Sequence, residues 1–158
     1  MDTVREASGN PPGAAFLLAA IGAHATARFA ERIAALELSP PQTGLMRVVV
    51  ATPGRSQQEL SELLGTPPSR LVGLVDGLAA KGLLERRRNE TDRRLYALHP
   101  TAAGIAMIEK IGLVGREHDD AVCAALDDGE RAVLRGLLVR IAAEQGLTPG
   151  VHPSYRRI

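Results

Sequence analysis

The sequence predicts a mainly α-helical chain carrying one small β-hairpin, on three observations. Apolar residues recur at helical spacing in six segments. Serine, threonine and aspartate caps open most of those segments, and glycines close several of them. One stretch, Leu83–Leu98, breaks the helical texture into two short strand-like arms around a turn.

The elements follow in order. Residues 1–12 hold Gly9, Asn10, Pro11 and Pro12 and read as a flexible terminus. A long helix is expected from Gly13 to Leu36, with Leu17, Ile21, Ala25, Phe29 and Ile33 on one face. Ser39-Pro40 opens a second helix to Ala51: a capping hydroxyl, then a residue with no N–H to lose. Ser56-Gln57-Gln58-Glu59 is a capping box and starts a short third helix over 56–63, stopped by Gly65. Thr66-Pro67 restarts a fourth helix to Lys81, with Leu71, Leu74, Val75 and Leu78 as its apolar stripe. Leu83–Arg88 and Arg93–Leu98 form the hairpin around Asn89-Glu90-Thr91-Asp92. Thr101 caps a fifth helix to Leu126. Asp127 and Glu130 form another capping box for a sixth, ending at Gly146. The tail 147–158 is extended, with Arg156 and Arg157.

The order helix, helix, helix–turn–helix, hairpin, helix, helix predicts a winged helix-turn-helix over residues 39–100. Residues 13–38 and 101–146 carry more apolar surface than that unit needs and read as a helical dimerisation lobe, so a homodimer is expected.

Composition bounds the class. The chain has 158 residues, 45% hydrophobic and 23% charged, which suits a globular core. Aromatics are 3%, so alanine and leucine must fill the interior by close helix packing. A net charge of +1 leaves only local clustering to speak for nucleic acid. One cysteine, Cys123, excludes an intramolecular disulfide and fits a reducing, cytoplasmic compartment. No stretch approaches the roughly 20 apolar residues that would span a bilayer, so no membrane role is expected.

Function concentrates in the middle block. The second helix of a helix-turn-helix lies in a major groove with its N-terminal residues facing base edges. Here those residues are Pro67, Pro68, Ser69 and Arg70, with Val72 and Gly73 a turn further. Arg70 has the fork that guanine accepts in bidentate fashion. Arg86, Arg87, Arg88, Arg93 and Arg94 then cluster on the hairpin arms, against Glu85, Glu90 and Asp92. A protruding arginine-rich hairpin suits the narrow, negative minor groove. Arg94 is expected to enter that groove and Asp92 to hold it in place, while Arg86, Arg88 and Arg93 reach phosphates.

Residues 39–104, and more loosely the entire chain, resemble the MarR family of multiple antibiotic resistance regulators. The matching stretches are Ser39-Pro40-Pro41-Gln42, Glu59-Leu60-Ser61-Glu62-Leu63-Leu64-Gly65, Leu74-Val75-Asp76-Gly77-Leu78 and Lys81-Gly82-Leu83-Leu84-Glu85-Arg86. Asp92-Arg93-Arg94 matches the family's Asp-x-Arg wing signature, and Leu98 and Gly104 follow. The resemblance implies an obligate dimer on double-stranded DNA at a pseudopalindromic operator, usually as a repressor. It also implies release by small anionic or phenolic effectors in a cleft between helices 1, 2 and 5 and the winged lobe. His24 and Arg28, one helical turn apart, are the candidate effector contacts. Two departures stand out. Gly73 occupies a position where many relatives carry a polar or basic residue, and Pro67-Pro68 opens the recognition helix.

Other readings find little. The alternative is a winged-helix protein–protein interaction module without DNA, yet five clustered guanidiniums suit a neutral interface poorly. An enzyme lacks a nucleophile elbow, and no glycine-rich phosphate loop or metal-ligand spacing is present, so no cofactor is expected. His118, between Glu117 and Asp119, reads as part of a solvated face. Cys123 reads as an inert, partly buried thiol. Gly112 and Gly115, inside the fifth helix, either permit close helix approach or leave room for a ligand.

Overall fold

The computed structural model describes residues 11–88 and 96–152. It shows α1 (Ala14–Ala34), α2 (Pro40–Ala51), α3 (Gln57–Leu64), α4 (Pro68–Ala80), β1 (Leu84–Arg88), β2 (Tyr96–Pro100), α5 (Ala102–Val122) and α6 (Asp128–Glu144). The fold is mainly helical with a two-stranded antiparallel hairpin, as the sequence predicts.

The caps work as the sequence indicates. Ser39 with Gln42, Ser56 with Glu59 and Asp127 with Glu130 each close a reciprocal box at a helix N-terminus. Several boundaries move, these three among them. The fourth helix begins at Pro68, with Pro67 as its extended cap residue, because two consecutive prolines leave only the second inside the helix. The fifth ends at Val122, four residues early: Leu126 N–H donates to the Cys123 carbonyl in a turn that frees Asp127 to cap α6. The second strand runs on to Pro100, which pairs with Leu84 at the base of the hairpin.

The core sits in the winged lobe. Leu45, Met46 and Val49 of α2, Leu60 and Leu64 of α3, and Leu71, Val75 and Leu78 of α4 are all buried. Leu84 and Leu98 close it from the hairpin, and Ile33 and Ile111 extend it onto α1 and α5. The hairpin is tied in on its far side as well. Leu98 N–H donates to the Arg55 carbonyl and the Leu98 carbonyl accepts from Gly54 N–H, both at 2.9 Å, so β2 lies between β1 and the approach to α3.

The start of α5 is pressed onto the base of β1. A Cβ at Gly104 would lie 2.1 Å from the Leu83 carbonyl oxygen, so only glycine permits this approach. Thr101 bridges the same joint: its hydroxyl donates to the Gly82 carbonyl at 2.6 Å and accepts from Gly104 N–H at 3.0 Å.

The outer helices are different. α6 buries none of its residues, and Val133, Leu137, Leu138, Val139 and Ile141 are exposed. On α1, the predicted stripe is covered only from Ala25 onward, and Phe16, Leu17, Leu18 and Ile21 are exposed. Among the described residues, no helix is long and apolar enough to cross a membrane.

Candidate nucleic-acid interface

The helix-turn-helix is built around Gly65. Its φ of 61° is left-handed, which a glycine adopts without strain, and it turns the chain sharply from α3. The buried Ser61 hydroxyl donates to the Thr66 carbonyl at 2.5 Å, locking the turn from inside. Leu71, Val75 and Leu78 then fix the rotation of α4, with one face inward. The opposite face presents Pro68, Ser69, Val72, Gly73 and Asp76, all exposed. Arg70 lies on the flank of that face, half-buried.

The hairpin stands beside this face, and strand alternation divides its arginines. Arg87 projects with Glu85 and pairs with it. Arg86 projects to the other side, towards the helices. Its Nε donates to Gln57 Oε1 of α3 at 2.8 Å, and its Nη2 donates to Asp76 Oδ1 of α4 at 2.6 Å. Arg86 therefore braces the hairpin against both helices of the helix-turn-helix. Arg88 is exposed at the end of β1. Asp92, Arg93 and Arg94 lie outside the described residues.

Asp76 and Gln57 are the parts of this site that sequence reading passed over. The available signal was Asp76 itself. A carboxylate on the outward face of a helix meant for DNA repels phosphate unless a cation is assigned to it. At the opening of α3, Glu59 accepts from both the backbone N–H and the hydroxyl of Ser56, which holds its pKa below the ordinary 4.5.

The expected effector cleft is divided in two. His24 and Arg28 line a cleft of about 490 Å³ between α1 and α5, together with Arg32 and His118. α2 does not line it. Arg28 also pairs with Glu31 at 2.8 Å. A separate cleft of about 430 Å³ involves α1, α2 and α5, lined by Phe29, Thr43, Arg47, Arg116 and Asp119. Gly112 and Gly115 line this second cleft, and a Cβ at Gly112 would meet only the tip of Arg116, at 3.6 Å. These glycines leave room rather than bring helices into contact.

His118 corrects the solvated reading. It is half-buried, 5.5 Å from Phe29 between ring centroids, and its Nδ1 is buried with no hydrogen-bond partner among the described residues. Burial lowers its pKa below 6.5, and Arg32 adds to the effect while Asp119 opposes it. Cys123 is partly buried.

A helix-turn-helix braced to an arginine-bearing hairpin, with helices outside it, defines a winged helix-turn-helix protein. A sequence model of the MarR family matches residues 36–95. The putative transcriptional regulatory protein for the hcr operon of Thauera aromatica is 35% identical over 123 residues, spanning 77% of this chain and 74% of that protein. The chain belongs to the MarR family of transcriptional regulators. Among solved structures, the transcriptional repressor CouR bound to a 23-mer DNA duplex matches with TM-score 0.72 and 29% identity, over 82% of this chain and 92% of that one. A MarR-family protein of Mycobacterium tuberculosis in complex with p-aminosalicylic acid matches in fold, with TM-score 0.68 and 21% identity, over 83% and 99% of the two chains.

Proposed function

We propose that the chain is a repressor that binds a pseudopalindromic site on duplex DNA as a homodimer. The observation that carries this reading is the outward face of α4 held beside the hairpin by the Arg86 brace. Each α4 enters a major groove through Pro68, Ser69, Arg70, Val72 and Gly73. Each hairpin tip then follows the adjacent minor groove through Arg94, with Arg88 and Arg93 on phosphates and Asp92 ordering the tip. CouR, seen on its duplex, supports this placement by its likeness in fold and sequence. The exposed apolar faces of α1 and α6 supply the dimer contact. A reading as a protein–protein module gives no role to the exposed Arg88 at the end of β1.

The test is selection of bound fragments from genomic DNA, followed by titration of operator and random duplexes at several salt concentrations. Arg94→Ala is expected to weaken operator binding strongly. Asp92→Asn is expected to weaken it too, although it adds positive charge. Tighter operator binding by Asp92→Asn removes the organised wing from this reading.

Release of the DNA by a small anionic or phenolic effector belongs to the same proposal. The cleft between α1 and α5 suits an anion: His24, Arg28, Arg32 and His118 line it, with no carboxylate lining it among the described residues. The other cleft includes Asp119. Salicylate-type carboxylates are expected to lower DNA affinity in the wild type and less so in Arg28→Ala. An unchanged response in Arg28→Ala removes that cleft from the mechanism.

A further inference from the structure

Within α2, α3 and α4, Val72 is the single exposed large hydrophobic side chain among the described residues. Other exposed apolar residues gather on α1, α5 and α6, apart from Tyr96 on the hairpin and Leu147 after α6. Val72 is 41% exposed and lines a shallow cleft whose α3 side is polar, Gln57, Gln58, Ser61 and Glu62. Its surroundings on the helix are unusual for a surface that meets DNA. One turn before it stand Pro68 and Ser69, beside it is Gly73, and one turn after it Asp76 is engaged with Arg86. A Cβ built at Gly73 would find no atom within 4 Å, so that position is bare backbone facing outward.

This ridge holds no long side chain that would stand the helix off from a base pair. Its one large apolar side chain is Val72, and the Asp76 carboxylate is paired with Arg86. A helix so smooth must lie deep in the groove to touch anything, and what it then offers is a pair of methyl groups rather than a charged fork. In the major groove, the one apolar feature on a base edge is the thymine C5 methyl. The flank residue Arg70 is half-buried and off the centre of the face.

We infer that Val72 is a specificity-determining residue that reads a thymine methyl, one in each half-site, and that Gly73 permits the close approach this contact needs. The inference rests on the DNA-binding reading above. Specificity at that base pair then comes from apolar burial and is blind to the hydrogen-bonding edge. Uracil, which pairs like thymine but lacks the methyl, is discriminated against.

The experiment uses the full-length chain. Duplexes are selected from a randomised library, and each thymine of the enriched motif is replaced in turn by uracil. One symmetry-related position is expected at which uracil costs about fourfold per half-site, the loss of one buried methyl. Val72→Ala, an exposed substitution that leaves the fold intact by circular dichroism, is expected to bind thymine and uracil duplexes equally at that position and to keep its preferences elsewhere. Wild-type protein that binds every uracil duplex as well as its thymine parent overturns the inference while leaving DNA binding intact. So does a Val72→Ala variant that keeps the full preference for thymine. If no duplex is enriched at all, the DNA-binding reading falls and takes this inference with it.

Discussion

At the scale of single residues, two glycines make opposite predictions. Gly104 faces the Leu83 carbonyl at a distance that admits no Cβ. Gly104→Ala must push backbone from backbone and is expected to destabilise the fold by about 3 kcal/mol, at the upper end of the overpacking range. Gly73 faces open space on the outside of α4. Gly73→Ala is expected to stabilise the helix by about 1 kcal/mol, raising Tm by roughly 2–4 °C, while weakening DNA binding. Thermal melts and duplex titrations of both variants check the pair. His118 adds a pH dependence. Its folded pKa is lowered, so its stabilising neutral form is fully present above 6.5 and lost as pH falls through the lowered value. His118→Phe keeps a ring beside Phe29 and removes the titration. The gap in Tm between this variant and the wild type is expected to widen in the variant's favour from about pH 7.5 to about pH 5. A constant gap shows that another group controls the acid limb.

At the scale of elements, the brace between hairpin and helices carries the next prediction. Asp76 and Arg86 are partly exposed, so their pair contributes at most about 1 kcal/mol to stability. Its larger effect is on orientation. Asp76→Asn makes the interface more positive and by charge counting should tighten DNA binding. With Arg86 released from α4, the hairpin loses its fixed angle, and binding is expected to weaken on all sequences. Titration at two salt concentrations separates the cases, since an added free cation steepens the salt dependence. Most elements were legible in the sequence because their signals are local. A capping box spans four residues, and Gly65 announces its own turn. The brace was not legible, because Arg86 reaches Gln57 across 29 positions and Asp76 across 10. Nor was the end of α5, where a cap for the next helix overrides continuing apolar periodicity.

At the scale of the whole molecule, the unburied helix α6 carries the prediction of assembly. A helix of 17 residues that buries none of them gains caps and ion pairs from its own chain but no buried apolar face. A second copy covering α6 and the start of α1 would bury that surface. Leu137→Arg or Leu138→Arg is expected to dissociate or unfold the protein, read by light scattering at micromolar concentration. A wild-type chain that stays a folded monomer there would falsify the dimer and the helix spacing of about 34 Å that it sets on DNA. The sequence showed this surplus of apolar surface, because composition on a helix face is local. It did not show that His24 and Arg28 share their cleft with Arg32 and His118 rather than with α2. That partition depends on how α5 lies across α1, which no spacing along the chain records.

The contact between Gly104 and Leu83 bears on how motion would pass through the molecule. A joint cushioned by side chains has slack: rotamers absorb a small displacement before the far side moves. Here backbone rests on backbone, pinned by the Thr101 hydroxyl, with no compliant group in between. A shift at the start of α5 would therefore press directly on the root of β1. The Arg86 brace connects that strand to α3 and α4. The joint is a stiff axle rather than a spring, and the two reading heads of a dimer would be geared directly to the helices that hold them apart.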